Sequence, residues 1–188
     1  MIKIKGIAVS DTIKAVKAQY GDQTYNSIVD LLKGETRELF EAPAILVSSW
    51  YSLDAFVEFL EMDLKVTAQG NEQELIKRSE VLIERQLSGI YKWFVKWGSP
   101  EFVLNRIAVV HRTYFQGVDV EVSVPSPGKA IVKYMGFAKQ HRLMGPIIIG
   151  FYRKALEISG AKDVKAAYTS SIEDDKGYCE LILTWRGK

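Results

Sequence analysis

The hydrophobic period changes near Gly117: apolar residues recur at helical spacing before it and alternate after it. Residues 2–9 alternate loosely and fit a short strand or an extended lead-in. Asp11 is placed to cap a helix reaching Tyr20, with Ile13, Val16 and Tyr20 on one side and Gly21 as its stop. A second helix, about Asp22–Lys33, carries Tyr25, Ile28, Val29 and Leu32 at helical spacing. Gly34 interrupts it, and Glu35–Phe40 adds one more turn before Pro43. Ser49 or Ser52 caps a helix to about Val66 with the stripe Leu53, Phe56, Val57, Leu60 and Leu64. After Gly70-Asn71 a long helix is expected from about Glu72 to Trp97, bent near Gly89, with Ile83, Leu87, Ile90, Phe94 and Trp97 facing inward. Ser99-Pro100-Glu101 then combines a cap, a first-turn proline and a carboxylate at the positive helix end, which starts a helix running to about Phe115.

Beyond Gly117, Val118, Val120, Val122 and Val124 alternate with polar residues, the mark of a half-buried strand. Pro125-Ser126-Pro127-Gly128 connects it to a return strand, Ala130–Met135. Lys139–Met144 reads as a basic, exposed connection. Gly145-Pro146 opens a helix with Ile147, Phe151, Ala155 and Ile158 inward, closed by Gly160. Asp163–Ser171 and Tyr178–Trp185 read as two strands joined by the acidic turn at Glu173–Gly177. The expected fold class is α+β: a helical N-terminal two-thirds and a C-terminal antiparallel sheet of about four strands, the last hairpin pairing with the first. The whole chain, 1–188, is read as a single domain, with 1–116 mainly helical and 117–188 a hairpin-helix-hairpin part.

Composition narrows the function classes. A net charge of +2 on 188 residues gives no bulk attraction for nucleic acid. The lone Cys179 cannot form an internal disulfide or a cysteine-rich zinc site. No long apolar run suggests a signal peptide or a membrane span, so the cytoplasm is the expected compartment.

Candidate chemistry is sparse. His111 shares a helix face with Leu104, Ala108 and Phe115, beside a parallel stripe of Val103, Ile107, Val110 and Tyr114. It could be an axial haem ligand, the one metal assignment available, or a core-edge histidine with a hydrogen-bond partner. His141 in Lys139-Gln140-His141-Arg142 could hold an anion or lie in a solvated loop. Cys179 is a nucleophile only if a base lies beside it, and otherwise a small apolar filler. There is no nucleophile elbow, no Walker loop and no dinucleotide fingerprint, and no residue pair that motivates catalysis. Aromatic residues from Trp50 to Phe115, Tyr91, Trp93, Phe94 and Trp97 among them, could line an apolar pocket or fill a core.

Lys5-Gly6-Ile7-Ala8-Val9 followed by a helix to Tyr20-Gly21 resembles the start of haem nitric-oxide/oxygen-binding (H-NOX) domains. The later order is also similar: a helix bearing His111, a hairpin ending at Tyr134, a helix and a terminal hairpin. The resemblance implies a proximal histidine at His111 and a tyrosine–serine–arginine grip on the haem propionates, spaced Y-x-S-x-R and starting at Tyr134. Gly136 and Ala138 stand where that pattern has serine and arginine. Ser49-Trp50-Tyr51, Gly89-Ile90-Tyr91, Gly98-Ser99-Pro100-Glu101 and Gly177-Tyr178-Cys179…Trp185 resemble an uncharacterised myxobacterial-type domain family. The end of the chain is also similar to 4-vinyl-reductase-like domains. The implied function is a non-enzymatic small-ligand-binding or sensory module, with His111, Tyr114, Phe115 and Tyr134 as ligand-binding residues. The alternatives are a haem-binding gas sensor with His111 as axial ligand, and a structural or interaction protein without a ligand. The cofactor is left open, with haem as the candidate, and the expected partners are a small apolar or amphipathic ligand and a second copy in a homodimer.

Overall fold

A computed structural model describes residues 1–87 and 99–187. They fall into two compact units, Met1–Glu74 with Tyr114–Gly117, and Leu75–Thr113 with Val118–Lys188.

In the first unit, β1 (Lys3–Lys5) runs directly into α1 (Gly6–Val29). The helix therefore starts five residues before the expected cap at Asp11, because the Gly6 N–H is satisfied at 2.9 Å by the Ser49 carbonyl rather than by a side chain. Gly21 does break the helix, with φ 85° and ψ 165°, so α1 consists of two arms. The helix α2 (Gly34–Glu41) follows, then β2 (Trp50–Ser52) and α3 (Leu53–Ala68). Ser52 caps α3 as expected, its Oγ accepting from the Ala55 N–H at 3.4 Å. Phe40 stacks on Phe59 with centroids 4.3 Å apart, and both rings are buried with Val9, Ile28, Leu53 and Leu60. A small antiparallel sheet, order β2-β1-β3, is completed by β3 (Phe115–Gln116). β1 falls within the short strand expected over residues 2–9, whereas β2 and β3 are too short to show in the hydrophobic pattern.

The second unit contains most of α4 (Gln73–Leu87), then α5 (Pro100–Tyr114), β4 (Asp119–Ser126), β5 (Lys129–Met135), α6 (Met144–Ile158), β6 (Lys162–Ser170) and β7 (Tyr178–Arg186). The strands form one antiparallel sheet in the order β4-β5-β7-β6. The last hairpin pairs with the first through β5 and β7, with Tyr134 opposite Cys179. This is the expected α+β class, helices first and the larger sheet last. Ala130, Val132 and Tyr134 of β5 and Cys179, Leu181 and Leu183 of β7 point into the core.

Three local expectations need correction. The buried face of α6 is Ile148, Tyr152, Ala155 and Leu156, whereas Ile147, Phe151 and Ile158 are only half-buried. The helix is held in that rotation from α4, where the Ser79 hydroxyl donates to the Ile147 carbonyl at 2.8 Å. On α5, Val110 is 39% exposed and leaves the inner stripe. His141 is buried rather than solvated: it sits in a short 3₁₀ turn (Lys139–His141), where its Nδ1 accepts from the Ala138 N–H at 3.0 Å. The aromatics Tyr91, Trp93, Phe94 and Trp97, and the bend at Gly89, lie outside the described residues. Among the described residues no helix is long and apolar enough to cross a membrane.

Gly6 is fixed by a close approach, since a Cβ there would overlap the Leu46 carbonyl oxygen and meet the Tyr51 ring. Gly6→Ala is expected to lower the unfolding free energy by about 1–3 kcal/mol, measured by urea denaturation.

Candidate functional site

The helix α5 is started by Ser99, whose Oγ accepts from the Phe102 N–H at 3.2 Å. Leu104, Ile107 and His111 then recur at i, i+3 and i+7, and all three are buried. The Arg112 guanidinium donates to the Val120 carbonyl at 2.9 Å and ties the C-terminal turn of the helix to β4. Together these contacts deliver the His111 ring to the inner face of the sheet.

There, His111 Nδ1 shares a hydrogen bond with the Tyr134 hydroxyl, which in turn donates to the Tyr152 hydroxyl at 3.1 Å. A phenol has one proton, so if Tyr134 gives its proton to Tyr152, His111 must donate from Nδ1 to the Tyr134 oxygen. Among the described residues, rings pack around the imidazole with centroids at 4.3 Å for Phe151, 5.4 Å for Tyr152 and 5.7 Å for Tyr134. Both tyrosines are 0% exposed. Burial pushes the His111 pKa down to about 3 and holds the ring neutral. Burial likewise raises the phenols of Tyr134 and Tyr152, and pushes the Cys179 thiol up to about 12. None of the four titrates near neutrality, so the cluster keeps its protons rather than exchanging them.

The four expected ligand-binding residues are distributed unevenly. His111 and Tyr134 meet in the second unit's core. Tyr114 ends α5 and Phe115 opens β3 opposite Ile4, and both belong to the first unit. Tyr152 was not legible as a partner of His111, although helical spacing from Gly145 and Ile148 would have placed it on the buried face. Gly136, at the expected serine position, has φ 114°, a conformation side chains rarely adopt. Its backbone N–H donates to the Gly177 carbonyl at 3.3 Å. Cys179 is fully buried opposite Tyr134, which suits a small apolar filler. Among the described residues no group of three or more His, Cys, Asp or Glu could hold a metal ion.

No protein-family model matches the chain, and no curated protein matches it. The solved structures do. An H-NOX protein from K. algicida in its unliganded Fe(II) state superposes with a TM-score of 0.74 at 14% identity, covering 98% of each chain. An H-NOX protein from S. oneidensis in the Fe(II)NO state gives 0.73 at 12% identity, covering 98% of this chain and all of that one. A mutant of T. tengcongensis H-NOX gives 0.70 at 9% identity, covering 98% of each chain. The fold is therefore H-NOX-like over nearly the full chain.

Two outcomes are expected. Tyr134→Phe strips His111 and Tyr152 of a shared partner inside the core and should cost about 1–3 kcal/mol in denaturant titrations. An unfolded histidine titrates near 6.5, so as pH falls from about 6.5 towards about 3 the unfolded chain takes up a proton that folded His111 refuses. Stability should drop across that window, and His111→Gln should flatten the drop.

Proposed function

We propose that this chain is a non-enzymatic, cytoplasmic small-ligand-binding or sensory module of H-NOX-like fold that works without haem. The sensory part rests on analogy with solved neighbours, one of them described through the mechanism of H-NOX activation. The non-enzymatic part is supported by the absence of a poised acid or base among His111, Tyr134, Tyr152 and Cys179.

Haem is the group that H-NOX neighbours bring to mind, some being described through heme distortion. A haem needs an axial ligand and a grip on two carboxylates. The carboxylate grip is the observation that carries the haem-free reading. The Tyr134 hydroxyl is fully buried and engaged by His111 and Tyr152. Gly136 and Ala138 bring no polar side-chain atom, and the backbone at Gly136 suits glycine rather than serine. The donor set thus does not fit a haem held through this segment, because no guanidinium is there to pair with a propionate.

One observation favours the gas-sensor alternative: burial keeps His111 neutral, the form that ligates iron. In the haem-free reading His111 and Tyr134 of the second unit respond to the ligand, and Tyr114 and Phe115 of the first unit are separate candidate contacts. The helix opening at Met144-Gly145-Pro146 carries the change to the sheet. Expressed with haem supplied, the purified protein should show no Soret absorption. A Soret band that His111→Ala abolishes would overturn the reading in favour of axial ligation.

A further inference from the structure

The first unit holds a groove of about 910 Å³, within the size range of small-molecule sites. It lies along both arms of α1: Ile13, Lys14 and Lys17 line it from before the break at Gly21, Tyr25 and Val29 from after it. Phe40 and the loop after α2 complete the wall. These walls are tied down. Lys17 pairs with Asp22 across the break at 3.1 Å. The Tyr25 hydroxyl donates to the Phe40 carbonyl at 2.7 Å and joins the second arm to α2. The Leu46 N–H donates to the Tyr51 hydroxyl at 2.9 Å and fixes the loop that leaves Val47 46% exposed at the groove. A groove whose walls are fixed in advance spends little on ordering when it takes a ligand, and apolar side chains held in water mark binding surfaces.

The groove has no spare charge. Lys14 is paired with Asp11 at 4.0 Å and Lys17 with Asp22. The two acidic lining residues, Asp30 and Glu41, are both held by Arg37, at 3.1 and 2.6 Å. An ionic head group entering here would shed water and find every opposite charge already taken, so its desolvation would go uncompensated. What remains open is neutral. The Ser10 hydroxyl and the Asn26 side-chain amide line the groove, and neither has a hydrogen-bond partner among the described residues. The floor is apolar: Val29 and Phe40 are buried, with Ile13 and Ile45 half-buried in the wall. We propose that this groove binds a neutral amphiphile, a medium-chain aliphatic alcohol, with its chain on Val29, Phe40, Ile13 and Ile45 and its hydroxyl at Ser10 or Asn26.

The proposal rests on the reading of the chain as a ligand-binding module and adds a site in the first unit. The test is calorimetric titration of the full chain with 1-decanol, decanoate and decyltrimethylammonium, which share a chain and differ in charge. Decanol should bind one to one and more tightly than either ion. Ser10→Ala with Asn26→Leu should weaken decanol roughly tenfold, the loss of one or two neutral hydrogen bonds. Ile13→Trp, which fills the groove from a half-buried position, should abolish binding, and Val47→Asp on the exposed loop is the second blocking variant. Loss of binding in either blocking variant supports the site. No binding of decanol by the wild type, an ion that matches or exceeds it, or binding unchanged in both blocking variants would overturn the proposal. A chain that takes neither decanol nor haem loses this site and keeps the haem-free reading. Haem uptake with decanol still bound does the reverse.

Discussion

The second unit is organised around one buried chain of hydrogen bonds, from His111 through Tyr134 to Tyr152. It joins α5, β5 and α6, elements far apart in sequence, at a point where all three side chains are withdrawn from water. Polar groups at such a depth must satisfy one another, because an unpaired one costs as much as several good contacts return. That requirement, with the Ser79 hydroxyl's bond to the Ile147 carbonyl, sets the rotation of α6, while burial keeps the imidazole uncharged. The Phe151 ring packs on the histidine as well, with centroids 4.3 Å apart.

The same cluster separates fold from chemistry. The chain follows the H-NOX path over nearly its whole length, with TM-scores of 0.73 and 0.74 at only 12% and 14% identity. Such a path can be kept while the groups displayed along it change. The clearest change is at Gly136. Its left-handed backbone lets the chain leave β5 beside Gly177, and it also removes the place for a serine. A tyrosine already engaged with a histidine and a second phenol is a structural anchor rather than an open donor.

Much of this was legible in the residues, and the exceptions have physical causes. The Ser52 and Ser99 caps act within three residues, so local sequence suffices to find them. The valines of β4 alternate long enough to reveal a half-buried strand. By contrast β2 and β3 are three and two residues long, and they meet the strand expected near residue 3 across distant parts of the chain, Lys3 pairing with Ser52 and Gln116. No periodicity builds up over so few positions. His141 misled because its neighbours are basic, while its own ring is drawn inward by the Ala138 N–H. At the site, His111 and Tyr134 were paired by resemblance, but Tyr152 needed the true rotation of α6, which the stripe Ile147, Phe151, Ala155 and Ile158 had placed on a different face.

The proposed haem-free function places His111 in a network of protein groups with Tyr134 and Tyr152 and not in an iron centre. Nitrogen NMR of the His111 ring, recorded before and after adding ferric haem, addresses that most directly. The expected result is a neutral imidazole, hydrogen-bonded at Nδ1, whose ring nitrogen shifts are unchanged by haem. A large paramagnetic shift of the His111 nitrogens, showing iron bound to the ring, would contradict it.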